Sequence, residues 1–156
     1  MKNATQNSKI IKAPAEKIYR AFSNAKAREA WQAPGDMTAK MQAFDFREGG
    51  GYTMSLFYPR TEKGMKGKTT EREDKFTSSF IELISNEKIV EAIKFHTADP
   101  GFTGEMIMEV SFEPVDGGTK VCFKFVNLPE GIKPEDNEQG TNSTLEKLAS
   151  FVEKYY

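Results

Sequence analysis

Few residues in this chain could do chemistry, and their spacing limits what chemistry that would be. His96 is the only histidine and Cys122 the only cysteine. A Ser-His-Asp arrangement needs a histidine set beside a nucleophile, and no serine motif accompanies His96. One Cys and one His without clustered carboxylates give no metal-ligand spacing, so neither a metal nor a cofactor is expected. Cys122 lies between Val121 and Phe123 in an alternating stretch, which fits an inert residue on a sheet face better than a nucleophile. Gly49-Gly50-Gly51 precedes a strand pattern rather than a helix, and no Lys-Ser/Thr follows. It is therefore not a phosphate loop.

Two carboxylates remain. Asp45 and Arg47 stand two apart on a strand and share a face, so they could pair with each other or brace the glycine turn, whereas a catalytic role would need them in a cavity. Glu91 alternates with Ile89, Ile93 and Phe95. That register places it on an apolar face, where a buried carboxyl could act as a general acid or anchor a ligand. The opposite register turns Val90 and Ala92 inward and leaves Glu91 in solvent. Catalytic residues are thus unknown, with Glu91 the one candidate.

The elements that must position these groups follow from periodicity. The stretch from Phe44 to Tyr58 reads as a strand end, a glycine turn and a second strand with Tyr52, Met54, Leu56 and Tyr58 on one face. Before it, Ser8–Lys12 is a strand, and Ala13-Pro14 opens a helix with Ile18, Ala21 and Phe22 on one stripe. A second short helix runs from about Ala25 to Trp31. Met37–Phe46 alternates as a strand. Arg60–Lys75 is charged, with Gly64 and Gly67, and reads as a long exposed connection; its acids offset its lysines.

Strands are predicted over Phe76–Ile84, Lys88–Phe95, Glu105–Glu113 and Thr119–Asn127, the last two joined at Asp116-Gly117. A helix from Pro134 to Tyr155 carries Thr141, Leu145, Leu148, Phe151, Val152 and Tyr155 on one stripe. At on the order of 30 Å it can cross a whole sheet. Thr141, Leu145 and Leu148 are expected to face that sheet.

Composition narrows the classes further. The 156 residues fit one domain, with residues 1–7 polar and expected to fray. A net charge of −1 gives no general attraction to nucleic acid or anionic lipid. No apolar run approaches the roughly 18 residues of a membrane span, and the N-terminus has no signal segment. A cytoplasmic location is the expectation. Twelve Phe and seven Met suggest an interior of large, adaptable side chains.

Strand, two short helices, six strands and a long helix is an order that resembles the helix-grip fold of the START-like (SRPBCC) superfamily. Within it the chain resembles the family named for the activator of the heat-shock protein 90 ATPase. The carriers are Ala13-Pro14 with Ile18 and Ala21, then Trp31, then Phe44-Asp45-Phe46-Arg47-Glu48-Gly49-Gly50 with Tyr52, and finally Gly140 with Leu145 and Leu148.

The resemblance implies an α+β domain in which a curved antiparallel sheet of about seven strands grips the last helix. It also implies a cavity between them for a small apolar or aromatic ligand. Lining residues are expected among Trp31, Met54, Leu56, Glu91, Ile93, Phe95, Met106, Met108, Phe123, Phe125, Thr141, Leu145 and Leu148. A co-chaperone-like module and a cyclase- or hydrolase-type enzyme are the alternatives the family and superfamily offer. One departure stands out. The family commonly places an aromatic residue, often Trp, after the helix glycine, where this chain has Thr141. The missing ring should leave a cavity within the ~300–1,000 Å³ typical of ligand pockets.

Overall fold

The structure, a computed structural model, describes residues 3–59 and 73–155. Its elements are β1 (Thr5–Ile11), α1 (Ala15–Phe22), α2 (Ala25–Trp31), β2 (Thr38–Asp45), β3 (Gly51–Phe57), β4 (Glu73–Ile84), β5 (Lys88–Phe95), a short 3-10 turn at Pro100–Phe102, β6 (Met106–Val115), β7 (Gly118–Val126) and α3 (Pro134–Tyr155). The seven strands form one antiparallel sheet in the order β1-β7-β6-β5-β4-β3-β2. This is the helix-grip arrangement expected, with β1 and β2 at the edges.

Several boundaries differ from expectation for local reasons. β1 starts at Thr5, three residues early, because Thr5 pairs with Phe125 and its hydroxyl donates to Asn137 of α3. Pro14 stands at the cap of α1 rather than at the first helical position; its carbonyl accepts from Lys17 and Ile18. The expected connection over Arg60–Lys75 is shorter than predicted. Glu73, Asp74 and Lys75 belong to β4 and pair with Phe57, Leu56 and Ser55. Residues 60–72 lie outside the described residues.

The inner face of the sheet follows the period-two pattern. Tyr52 and Met54 on β3, Phe76 and Phe80 on β4, Ile89 and Ile93 on β5, and Met106, Met108 and Val110 on β6 are all buried. The glycine turn meets two separate demands. Gly49 adopts a positive φ of 86°, and a Cβ at Gly51 would collide with the Ser78 carbonyl oxygen on the neighbouring strand. Beside the turn, Arg47 Nε lies 2.8 Å from Asp45 Oδ2, both side chains well exposed, so the two pair with each other as their shared face allows. It contributes only ~0–1 kcal/mol.

α1 and α2 close one end of this face. Asn24 caps α2 by accepting from the Ala27 amide at 2.9 Å. Trp31 Nε1 donates to the Ala21 carbonyl at 3.1 Å, which ties the two short helices together.

α3 lies over the same face, and Thr141, Leu145, Leu148 and Val152 are buried as the stripe requires. The Tyr155 side chain lies outside the described residues. Polar clasps hold α3 on both flanks. Asn7 of β1 donates to Asn142 at 2.9 Å. Opposite, Thr144 donates to the Gln32 carbonyl at 3.2 Å, Lys147 to the Ala33 carbonyl at 2.6 Å, and the Gly35 amide to Ser143 at 2.8 Å. These three contacts fix the Gln32–Gly35 segment against the helix. Burial lowers the Lys147 pKa from its ordinary value, and the Asp36 carboxylate opposes that shift.

Candidate functional site

Two features occupy the interior between sheet and helix. The first is a buried polar cluster. Arg28 of α2 and Glu91 of β5 are both wholly inaccessible, with Arg28 Nη1 2.9 Å from Glu91 Oε2. Glu91 Oε1 accepts from Tyr52 at 2.6 Å and from Ser78 at 2.7 Å. Arg28 Nε donates to the Phe22 carbonyl, and Nη1 donates to Tyr52 at 3.1 Å and to the Gln32 side chain at 3.3 Å. Gln32 Nε2 closes the set by donating to Tyr52 at 3.1 Å. The Arg28 Cζ also lies 5.0–5.7 Å from the ring centroids of Tyr52, Phe22, Phe80 and Phe44, within range for cation–π attraction.

The strand registers bring these groups together. Tyr52 pairs with Ser78, and Glu91 is the partner of Phe80 on one side and Met108 on the other. Glu91 therefore takes the register with Ile89 and Ile93 inward, and it is not solvated. Its carboxylate, however, is already engaged by three side chains and does not line the cavity described below. Sequence reasoning missed Arg28. The signal was present: Arg28 lies three residues before Trp31, so a helix that buries one presents the other on the same face.

Burial, together with the neighbouring Glu91 carboxylate, pushes the Tyr52 hydroxyl far above its ordinary value of 10, and Arg28 only partly opposes this. The folded pKa is raised, so the contribution is fully present below pH ~10 and is lost as pH rises above the unfolded value. In that window Tyr52 should make stability fall by about 1.4 kcal/mol per pH unit. Urea unfolding of wild type and Tyr52→Phe between pH 9 and 11.5 should show the shallower decline in the variant. Equal slopes would mean that Tyr52 ionises normally in the folded protein.

The second feature is a cavity of about 220 Å³ between the sheet and the N-terminal half of α3. Of the residues expected there, Trp31, Met54, Leu56, Ile93, Phe95, Met106, Met108, Phe123, Phe125 and Thr141 do line it. Glu91, Leu145 and Leu148 do not. Leu145 and Leu148 lie one and two turns beyond Thr141, sealed in the core at 1% and 0% exposure. The helix wall is instead Asp136, Asn137, Gly140, Thr141 and Thr144. The cavity is also smaller than the ~300–1,000 Å³ expected.

Gly140 stands on the helix wall with room for a side chain. A Cβ would meet only Pro34 at 3.7 Å, an ordinary contact. Among the described residues away from α3, the polar side chains on the wall are Arg28, Gln32 and Asp74. Arg28 and Gln32 join the cavity to the buried cluster, and Asp74, buried on β4, accepts from Tyr58 at 3.0 Å.

The remaining candidates lie elsewhere. His96 is exposed at the end of β5 and bonds to Thr77. Cys122 is a half-buried free thiol. Among the described residues no group of three or more His, Cys, Asp or Glu could hold a metal ion, and no helix is long and apolar enough to cross a membrane.

Comparisons with known proteins agree with this architecture. Residues 12–153 match the family described as Activator of Hsp90 ATPase homolog 1-like protein. Protein CV1439 from Chromobacterium violaceum is similar in structure at a TM-score of 0.86 and 27% identity, over 98% of this chain and 99% of that one. A putative uncharacterized protein from Rhizobium leguminosarum gives 0.70 at 24% identity, over 97% and 94%. The AHSA1-like protein from Aeromonas hydrophila gives 0.71 at 18% identity, over 97% and 92%. Comparison with curated proteins gives no significant match.

Proposed function

We propose that this chain, which belongs to the Activator of Hsp90 ATPase homolog 1-like family, binds a small apolar or aromatic molecule in the cavity beside Thr141. The observation that carries this reading is an apolar space of about 220 Å³ in an interior otherwise filled by large side chains. Packed cores leave few voids larger than a water, so a space of this size needs a reason. An engineered apolar cavity of ~150 Å³ stays dry and admits benzene. By that measure this one suits a single ring with a short substituent.

Catalysis is the weaker reading. Its best acid, Glu91, is not among the lining residues; Oε1 accepts from Tyr52 and Ser78, and Oε2 lies 2.9 Å from Arg28 Nη1. A chaperone-binding role, which the family's name raises, is favoured by no particular surface among the described residues. The large exposed apolar residues among those described, Ile10, Phe57, Ile81 and Ile84, are distributed over β1, β3 and β4, and scattered apolar residues are ordinary. Native mass spectrometry of protein purified without denaturation should show added mass in the range of a one-ring molecule, removable by mild activation. Capture of a chaperone in a nucleotide-dependent pull-down, with no retained mass, would favour the other reading.

A further inference from the structure

We propose that the inner end of the cavity, at Arg28 and Gln32, is a polar subsite for an uncharged hydrogen-bond acceptor. The ligand class is then a neutral aromatic molecule bearing a carbonyl or an equivalent acceptor. This rests on the ligand-binding reading above and adds to it the polar group the ligand carries.

The argument starts from Arg28's donors. A guanidinium has five N–H groups and no acceptor. Nε is used by the Phe22 carbonyl, and Nη1 by Tyr52 and Gln32. Nη2 is wholly buried and has no hydrogen-bond acceptor among the described residues; Glu91 Oε2, which also makes no hydrogen bond there, lies 2.9 Å from Nη1 instead. A buried donor without a partner is a rare and costly condition. Arg28 is also the one basic side chain among the described residues that line the cavity. An acceptor arriving in the cavity with an otherwise apolar ligand would supply what the protein leaves out.

The charge of that acceptor follows from Glu91. Its carboxylate, 2.9 Å from Arg28 Nη1, already balances the guanidinium. An anionic ligand would bring a further negative charge into a site that already holds the Glu91 and Asp74 carboxyls beside one guanidinium, and desolvation would oppose it. A neutral acceptor takes the hydrogen bond without that penalty. The rest of the wall near Arg28, including Phe22, Trp31, Met54 and Met108, suits an aromatic body.

Three single-ring probes of similar shape test this on the intact protein by NMR titration: acetophenone, isopropylbenzene and benzoate. Acetophenone should bind at least about tenfold more tightly than either of the others. In Arg28→Met/Glu91→Gln, its advantage over isopropylbenzene should shrink to about twofold or less while both still bind. Should that variant not fold, the Arg28 side-chain ¹⁵N signals of wild type decide the matter. They should move with acetophenone and stay still with isopropylbenzene. Equal binding of the two neutral probes, unmoved Arg28 signals, or tightest binding of benzoate would overturn the subsite and leave the apolar cavity standing. Binding of no probe would overturn both.

Discussion

Glu91→Ala should destabilise the protein by about 3–5 kcal/mol, the cost of leaving a buried charge without its partner. Arg28 would remain at zero exposure with its counter-ion removed, and Tyr52 and Ser78 would lose their common acceptor. Such a loss is a large part of a typical domain's ~5–15 kcal/mol. Arg28→Met should cost a similar amount, by stranding Glu91. The double variant Arg28→Met/Glu91→Gln should cost clearly less than the sum of Arg28→Met and Glu91→Gln measured singly. Met removes the buried cation, and Gln keeps an oxygen for Tyr52 and Ser78. The interaction energy measured by this cycle in urea should exceed about 2 kcal/mol, within the range seen for contacting residues. Additive single changes, or a Glu91→Ala loss under about 1 kcal/mol, would show that the pair is not closed off from water.

Thr141→Trp should have an opposite pattern, with stability kept and binding lost. Thr141 is 6% exposed and on the cavity wall. Inserting bulk into a packed core costs typically ~1–3 kcal/mol. Here about 220 Å³ is open beside the side chain, so an indole enters space rather than displacing neighbours. The melting temperature should stay the same or rise. A fall of several degrees would mean that the walls cannot receive the ring and that the space is not where the structure puts it.

The fold was legible because its signals are periodic. Alternation along Met106–Val115 and Gly118–Val126, the turn at Asp116-Gly117, and the stripe on Pro134–Tyr155 each leave one geometric solution. The site was legible only on its sheet side. Strand residues two apart share a face wherever the register holds, so Met54 and Leu56, or Phe123 and Phe125, had to appear together on the wall.

The helix side depends on where along α3 the space lies, and periodicity cannot supply that. Leu145 and Leu148 carry the right spacing but sit too far along the helix, while Asn137 and Thr144 line the cavity without an apolar signature. The Arg28–Glu91 pair was hidden for another reason. It joins a helix to a strand 63 residues later in the chain, so the spacing to Trp31 could place Arg28 on the buried face but could not name Glu91 as its partner.

The central claim is that the space beside Thr141 holds a ligand. The most direct measurement is a titration of a single-ring apolar probe, such as isopropylbenzene, into wild type and Thr141→Trp side by side, followed by two-dimensional amide NMR. The wild-type protein should show saturable shifts centred on Met106, Met108, Phe123, Phe125 and Gly140. The folded variant should show none. Shifts of equal size and affinity in both proteins, or shifts confined to the outer face of the sheet, would contradict the claim.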